Sequence, residues 1–260
     1  MTEAPDFGNW IRLHKIGWFF AVSLLILGAS LLLPTQWQWL MVGLSAPGFA
    51  MGFFLLFVYF EFSDRGGGVQ RQLWRLTLDH LSPATRANTE KIGKALDIGT
   101  GNGSLGILLA MEQPGLAVSG VDLWAPDWEY SIEDCRRNAF LAGVDARVNF
   151  EQASAHQLPF EDATFDYVVS HFVFHEVAVK DKVELLQEAL RVLKPGGCFS
   201  FHDMFFDANI YGDIEKLLKR VRMLEVEFVN LVDSRPLLQV SRLLMGKRIL
   251  GRCGIMTGTK

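Results

Sequence analysis

From Ile16 to Leu33 the chain reads IGWFFAVSLLILGASLLL without a charge, and a second uncharged run extends from Trp39 to Phe60. As helices rising 1.5 Å per residue they reach roughly 27 and 33 Å, enough to cross a hydrocarbon layer of about 30 Å. The break at Pro34-Thr35-Gln36 is so short that the runs can only form a tight antiparallel hairpin. Trp18, Trp37, Trp39 and Tyr59 stand near the ends, where amphipathic rings favour the headgroup region. A cleaved signal peptide leaves the second run unexplained, and a hairpin in a soluble core would normally alternate with polar positions. The expectation is a transmembrane hairpin over residues 16–60, with spans at 16–33 and 39–60 and a tail at 1–15. Arg12 and Lys15 precede it, Arg65, Arg71 and Arg75 follow, and the connecting loop has no basic residue. The positive-inside rule then puts both ends, and the domain that follows, in the cytoplasm. Gly48-x-x-x-Gly52 fits a helix-packing face, although small residues are common in spans.

Residues 61–93 read as a linker, SDRGGG at 63–68, and a helix from Val69 to Leu81 with Leu73, Leu76 and Leu78 among Arg71 and Arg75. That pattern suits an amphipathic helix on the membrane surface or an ordinary packing helix, and it does not choose. With 260 residues, one domain plus an extension is expected, large enough to bury a core without disulfides. A net charge of −4 gives no sign of a nucleic-acid partner. Cys135, Cys198 and Cys253 are far apart and match neither a disulfide framework nor a zinc site, which fits a reducing compartment.

From residue 94 short apolar runs alternate with helical periods. Strands are expected near 95–98, 116–121, 146–150, 165–170 and 198–202, with helices near 104–111, 131–142 and 182–193 between them. A helix near 213–223 and two closing strands near 225–231 and 251–257 complete the pattern. Alternation of this kind means an α/β, doubly wound Rossmann-like sheet, whose ligands bind beyond the carboxyl ends of the strands.

The first strand runs into ALDIGTGNGSLGI at 95–107, where two motifs overlap. Gly101 to Gly106 fits the dinucleotide pattern G-x-G-x-x-G, while Asp97 with Gly99, Gly101 and Gly103 is an acid followed by alternating glycines. Both need glycines that let backbone approach a ligand, so Asp97 decides. A carboxylate at that strand tip repels a pyrophosphate seated at a helix N-terminus and attracts the ammonium and sulfonium of S-adenosylmethionine. Asp122, closing the second strand in GVDLW, suits the ribose hydroxyls of either cofactor.

These segments, with QLPFEDATFDYVVS at 157–170 and LKPGG at 193–197, resemble the class I S-adenosylmethionine-dependent methyltransferase family over about 94–260. The likeness is greatest to the branch that methylates small molecules such as quinones and sterols. It implies a seven-stranded, mostly parallel sheet with the last strand antiparallel. It also implies that Asp97 holds the methionine end of the cofactor, that Gly99, Thr100, Gly101 and Gly103 wrap it, and that Leu123 packs on the adenine beside Asp122. Where the family often has Gly-Asp-Ala before the LPF segment, this chain has Ala153-Ser154-Ala155. Ser154 offers one neutral hydrogen bond in place of a charged one, about half as strong, and Ala155 and Ser170 would complete the cofactor wall.

Methyl transfer is a displacement that mainly needs alignment, with a base where the acceptor must lose a proton. His171 follows the fourth strand and His202 ends the fifth, both where the acceptor should sit. Either could act as that base or simply line the pocket. His175, Glu176 and Asp203 lie nearby, but the spacing matches no metal-ligand motif and no metal is expected. Phe205 and Phe206, past the fifth strand, are expected to line an apolar acceptor pocket. The function expected is a membrane-anchored methyltransferase acting on a lipophilic acceptor, lipid or quinone-like. The alternatives are a methyltransferase of a soluble metabolite or protein with the hairpin as tether, or a non-catalytic interaction module.

Overall fold

A computed structural model describes residues 3–81, 92–124, 130–247 and 249–260. The chain forms two compact units, Gly8–Arg71 on the one hand and Met1–Phe7 with Gln72–Lys260 on the other.

The smaller unit is a helical hairpin of α1 (Leu13–Ser30) and α2 (Thr35–Phe62). The helices start a few residues before the uncharged runs, at Leu13 after Arg12 and at Thr35 after Pro34. A Cβ on Gly48 would meet Ser23 and one on Gly52 would meet the Phe20 ring, so both glycines lie in the α1–α2 contact. Phe20 also packs edge-on to Phe53, 5.1 Å between ring centres. Most of the remaining apolar side chains, Leu24, Leu25, Trp39 and Phe53 among them, face outward.

The larger unit begins within α3 (Val69–Asp79). Leu73, Trp74 and Leu78 are buried, and Trp74 and Leu78 belong to a core shared with the first strands, so this helix packs rather than lying on a surface. The compact unit therefore starts about twenty residues before the motif-bearing segment. It also takes in the extreme N-terminus: the Asn138 amide is paired with the backbone N–H and C=O of Asp6 at 3.0 and 2.8 Å. Phe7 stands edge-on to Trp74.

The sheet follows in the order expected: β1 (Gly93–Ile98), α4 (Ser104–Glu112), β2 (Leu116–Asp122), α5 (Ile132–Leu141), β3 (Val148–Gln152), β4 (Phe165–His171), α6 (Lys182–Arg191), β5 (Leu193–Asp203), then α7 (Ala208–Tyr211), α8 (Ile214–Arg222), β6 (Phe228–Asp233) and β7 (Gly254–Thr259). The seven strands lie in the order β3-β2-β1-β4-β5-β7-β6, with β7 antiparallel to both neighbours. The order reverses between β1 and β4, the switch point at which such sheets open a crevice. β4 reads FDYVVSH with nearly every side chain buried, as a central strand covered on both faces requires. α5 and α6 are capped by Ser131 and Asp181, whose side chains accept from Asp134 and Val183 backbone N–H groups.

Candidate active site

β1 ends in a turn whose three glycines all adopt positive φ, 71° at Gly99, 59° at Gly101 and 85° at Gly103. The turn delivers the chain into α4, with Gly103 as the residue that caps its start. Asp97 sits beneath it, buried, accepting from Thr100 Oγ1 at 2.7 Å and Gly106 N–H at 2.9 Å. The Gly106 backbone thus helps hold the Asp97 carboxylate. Burial pushes Asp97 up to about 6, against the opposing pull of those two hydrogen bonds, and Asp122 adds to the rise.

Across the turn, Asp122 accepts from Gly101 N–H at 2.9 Å and from Trp124 N–H at 3.0 Å. Trp124 returns its indole N–H to the Gly101 carbonyl at 2.7 Å. Two strand ends are thereby tied to one glycine turn. Leu123 projects outward, half-exposed, as a residue that covers a flat ring must. Ser154 accepts from His156 N–H, Ala155 is buried against the core, and Ser170 donates to the Ile98 carbonyl across β1 and β4 at 3.0 Å.

A Cβ at Gly99 would fall 2.1 Å from a methyl of Val173, so the loop after β4 lies directly against the glycine turn. That loop carries the residues that could do chemistry. Phe172 opens it with φ 55°, a left-handed conformation uncommon for a bulky side chain, held by its N–H to the His202 carbonyl at 2.7 Å. His175 follows, with Nδ1 2.8 Å from Oδ1 of Asp203 at the end of β5. A carboxylate can only accept, so Nδ1 carries the proton and Nε2 is left with the lone pair. Burial lowers His175, but the Asp203 hydrogen bond and charge, with Glu176 nearby, outweigh it and leave the group above its ordinary value. The Lys182 ammonium donates to the carbonyls of Phe174, His175 and Val177 at 2.8, 3.1 and 2.6 Å, clamping this turn.

His171 and His202 lie deeper. The Thr77 hydroxyl, which donates to the Leu73 carbonyl, is 2.9 Å from His171 Nδ1 and 3.3 Å from His202 Nδ1. His202 Nε2 meets Ser234 Oγ at 2.9 Å. Burial drives His171 well below its usual value and His202 down to about 3, so both rings are neutral across the physiological range. The pairing of His175 with Asp203, twenty-eight residues apart, went unread in the sequence. The usable signal was that β4 and β5 are neighbours, so groups just past their ends face each other.

Phe205 corrects an expectation. It is fully buried against Tyr211 in the main core, because the chain turns back at Asp207 instead of running out over the crevice. Phe206 is part-buried beneath the Arg235 guanidinium, 5.2 Å from ring centre to cation. Among the described residues no group of three or more His, Cys, Asp or Glu side chains could hold a metal. Acceptor choice is expected from the loops 82–91, 124–130 and 204–211; residues 82–91 and 125–129 of these lie outside the described residues.

Residues 96–201 match the family described as a methyltransferase domain. The 27-O-demethylrifamycin SV methyltransferase of Amycolatopsis mediterranei is 31% identical over 167 residues, covering 56% of this chain and 59% of that protein. The demethylmenaquinone methyltransferase of Thermus thermophilus is 38% identical over 104 residues, 40% of this chain and 44% of the relative. The chain thus spans about half the length of these curated relatives. The crystal structure of geranyl diphosphate C-methyltransferase from Streptomyces coelicolor A3(2), solved with Mg2+, geranyl diphosphate and S-adenosyl-L-homocysteine, superposes with a TM-score of 0.54. It is 16% identical and covers 73% of this chain and 79% of that one, a likeness of fold. Motifs, strand order and family match agree: residues 96–201 carry a methyltransferase domain, set in the seven-stranded fold expected of the class I S-adenosylmethionine-dependent enzymes.

Proposed function

We propose that the chain is a membrane-anchored methyltransferase that transfers a methyl group from S-adenosylmethionine to a small hydrophobic acceptor, lipid-like or quinone-like, at the cytoplasmic face. The observation that carries this reading is the seating of Val173 against Gly99, which brings the His175–Asp203 pair beside the glycine turn. When bound, the cofactor supplies a methyl group on a positively charged sulfur. The buried Asp97 carboxylate and the glycine turn suit its charged methionine end, Asp122 its ribose and Leu123 its adenine.

For an oxygen or nitrogen acceptor, His175 is the base in this reading. Methyl transfer would exchange the cofactor's carbon–sulfur bond for one to the acceptor's heteroatom, leaving the neutral thioether, while the acceptor's proton would pass to His175 Nε2 and Asp203 would stabilise the resulting imidazolium. His175 is favoured over His171 and His202 because it is part-exposed, with Nε2 3.7 Å from the Glu176 carboxylate, whereas those two rings are buried on Thr77 and Ser234. Their role here is to keep the ends of β4 and β5 in register.

The hairpin supports the membrane part. Both helices are long enough to span, and only 17% of each is buried, unlike a soluble core helix. Similarity to a demethylmenaquinone methyltransferase supports a quinone-like acceptor. The test is to incubate membranes containing the protein with methyl-labelled S-adenosylmethionine and identify the labelled product. A lipid-extractable product is expected; label confined to water-soluble metabolites or protein would overturn the hydrophobic-acceptor reading.

A further inference from the structure

The connection from β6 to β7 lies where an acceptor would enter. Asp203, at the end of β5, is paired in register with Gly254, and Gly254 with Asp233. Residues 234–253 therefore leave and rejoin the sheet level with the His175–Asp203 pair. The segment is ordered by its own contacts: Leu250 N–H bonds the Leu244 carbonyl at 3.0 Å, and Arg235 donates to the Gly251 carbonyl at 3.1 Å. Two short 3-10 turns, Arg235–Leu237 and Arg242–Met245, sort its leucines. Leu238, Leu244 and Leu250 point inward and are buried, while Leu237 and Leu243 point outward at 45% and 63% exposure.

Two exposed leucines alone are ordinary on a soluble surface. Their setting is not. Residues 234–253 hold Arg235, Arg242, Lys247, Arg248 and Arg252 and no acid. Arg235 is paired with Asp233 and Arg252 with Asp207. Arg242 and Lys247 are exposed beside Leu243. Outward leucines flanked by cations are the composition of a segment that enters a lipid headgroup layer, with apolar tips inserted and cations on anionic phosphates. The segment is also fastened to α3: Gln239 N–H bonds Gln72 Oε1 at 3.0 Å.

We infer that Leu237, Arg242, Leu243 and Lys247 form a membrane-contact surface that seats the catalytic domain on a bilayer containing anionic lipid, with the acceptor site opening at the leaflet. The inference rests on the membrane-anchored reading above, but its readout needs neither cofactor nor methyl transfer. Full-length protein carrying Leu243→Cys, labelled with an environment-sensitive fluorophore, is reconstituted in two kinds of vesicle. One is phosphatidylcholine alone and the other phosphatidylcholine with phosphatidylglycerol. The unsubstituted protein supplies the background from Cys198, and Phe140→Cys on α5, beside the opposite edge of the sheet, supplies a water-exposed control.

In the anionic vesicles the label at 243 should shift to the blue and be quenched by lipids bearing a nitroxide in the acyl chain, and the label at 140 should do neither. Arg242→Gln and Lys247→Gln should each lower the ratio of lipid-quenched to unquenched label at 243 by about fivefold in the anionic vesicles. A label at 243 that behaves like the one at 140 overturns the inference. So does quenching equal in both kinds of vesicle, or a shift that depends on protein concentration without lipid quenching, which marks contact with a second copy. Extraction of the protein from vesicles by alkaline carbonate would instead defeat the membrane-anchored reading itself.

Discussion

His175 Nδ1 donates to Asp203 Oδ1 across 2.8 Å, joining the loop after β4 to the last residue of β5. If this pair is the base, His175→Ala should lower kcat by roughly a hundredfold or more for an oxygen or nitrogen acceptor, the usual weight of a positioned base. The KM for S-adenosylmethionine should change little. The sign of the pH dependence follows from the raised pKa: His175 accepts a proton only once it has lost its own. Activity should therefore rise with pH along a limb centred above 6.5. Asp203→Asn removes the charge and leaves burial to act, so the limb should move to lower pH as the plateau falls. A pH–rate profile unmoved by Asp203→Asn would remove the pair from the chemistry.

Lys182 acts on His175 in two ways. Its three bonds to the carbonyls of Phe174, His175 and Val177 hold the turn, and its charge opposes protonation of the ring. Lys182→Met should lower kcat and move the acid limb to still higher pH, the opposite direction from Asp203→Asn. Lys182→Arg should restore part of the rate. A loss of stability with no shift of the limb would reduce Lys182 to a structural clamp.

How legible the chain was depends on the range of the interaction. The inner strands β1 and β4 appear in the sequence as apolar runs, because burial on both faces allows little else, and Asp97 and its glycines are contiguous. The His175–Asp203 pair depends on which strands become neighbours, and no local pattern encodes that. Thr77 was equally hidden: its helix reads as amphipathic, and only tertiary packing shows that the inward face carries a hydroxyl between two histidines. Phe205 misled for a related reason, since the turn at Asp207 folds it into the core. The N-terminal tail gave no signal, because Asn138 recognises Asp6 through its backbone.

Thr77→Val keeps the shape and removes the hydroxyl from between the two ring nitrogens. Leaving those buried donors unmet should cost about 1–3 kcal/mol, read as a lower denaturant midpoint with the same slope. If His171 and His202 serve structure, the pH–rate limb should stay in place. A limb that moves would return one of them to catalysis.

Asp97 sets function against stability. Its folded pKa of about 6 lies above the ordinary aspartate value of 3.8. Its contribution to stability is therefore fully present below 3.8 and is lost as pH rises through 6, a cost on the order of 3 kcal/mol at neutral pH. Asp97→Asn should raise the Tm of the cofactor-free protein at pH 8. The same substitution should weaken S-adenosylmethionine binding sharply, because the carboxylate is what the cationic cofactor is attracted to. Wild-type affinity should fall as pH drops through 6, and the variant should show no such dependence. Isothermal titration at pH 5 and pH 8 measures both, and equal wild-type affinities would refute the assignment.

Residues 3–7 fix the topology without appeal to flanking charges. Asp6 and Phe7 belong to the same compact unit as residues 72–260, held by Asn138 and by Asn102 of the glycine turn. Any membrane crossed by the intervening segment must then be crossed an even number of times, twice if both apolar helices span. A tag at the N-terminus and a tag at the C-terminus should be equally open to protease in inside-out vesicles. A cysteine at Gln36, in the α1–α2 connection, should react with an impermeant maleimide only from the opposite side. Asn138→Ala should weaken S-adenosylmethionine binding by severalfold while leaving that pattern intact, because its amide also donates to the Asn102 carbonyl within the glycine turn at 3.1 Å. Tags found on opposite sides would mean that one of the two helices does not span, and that the tail reaches the catalytic domain in no inserted molecule.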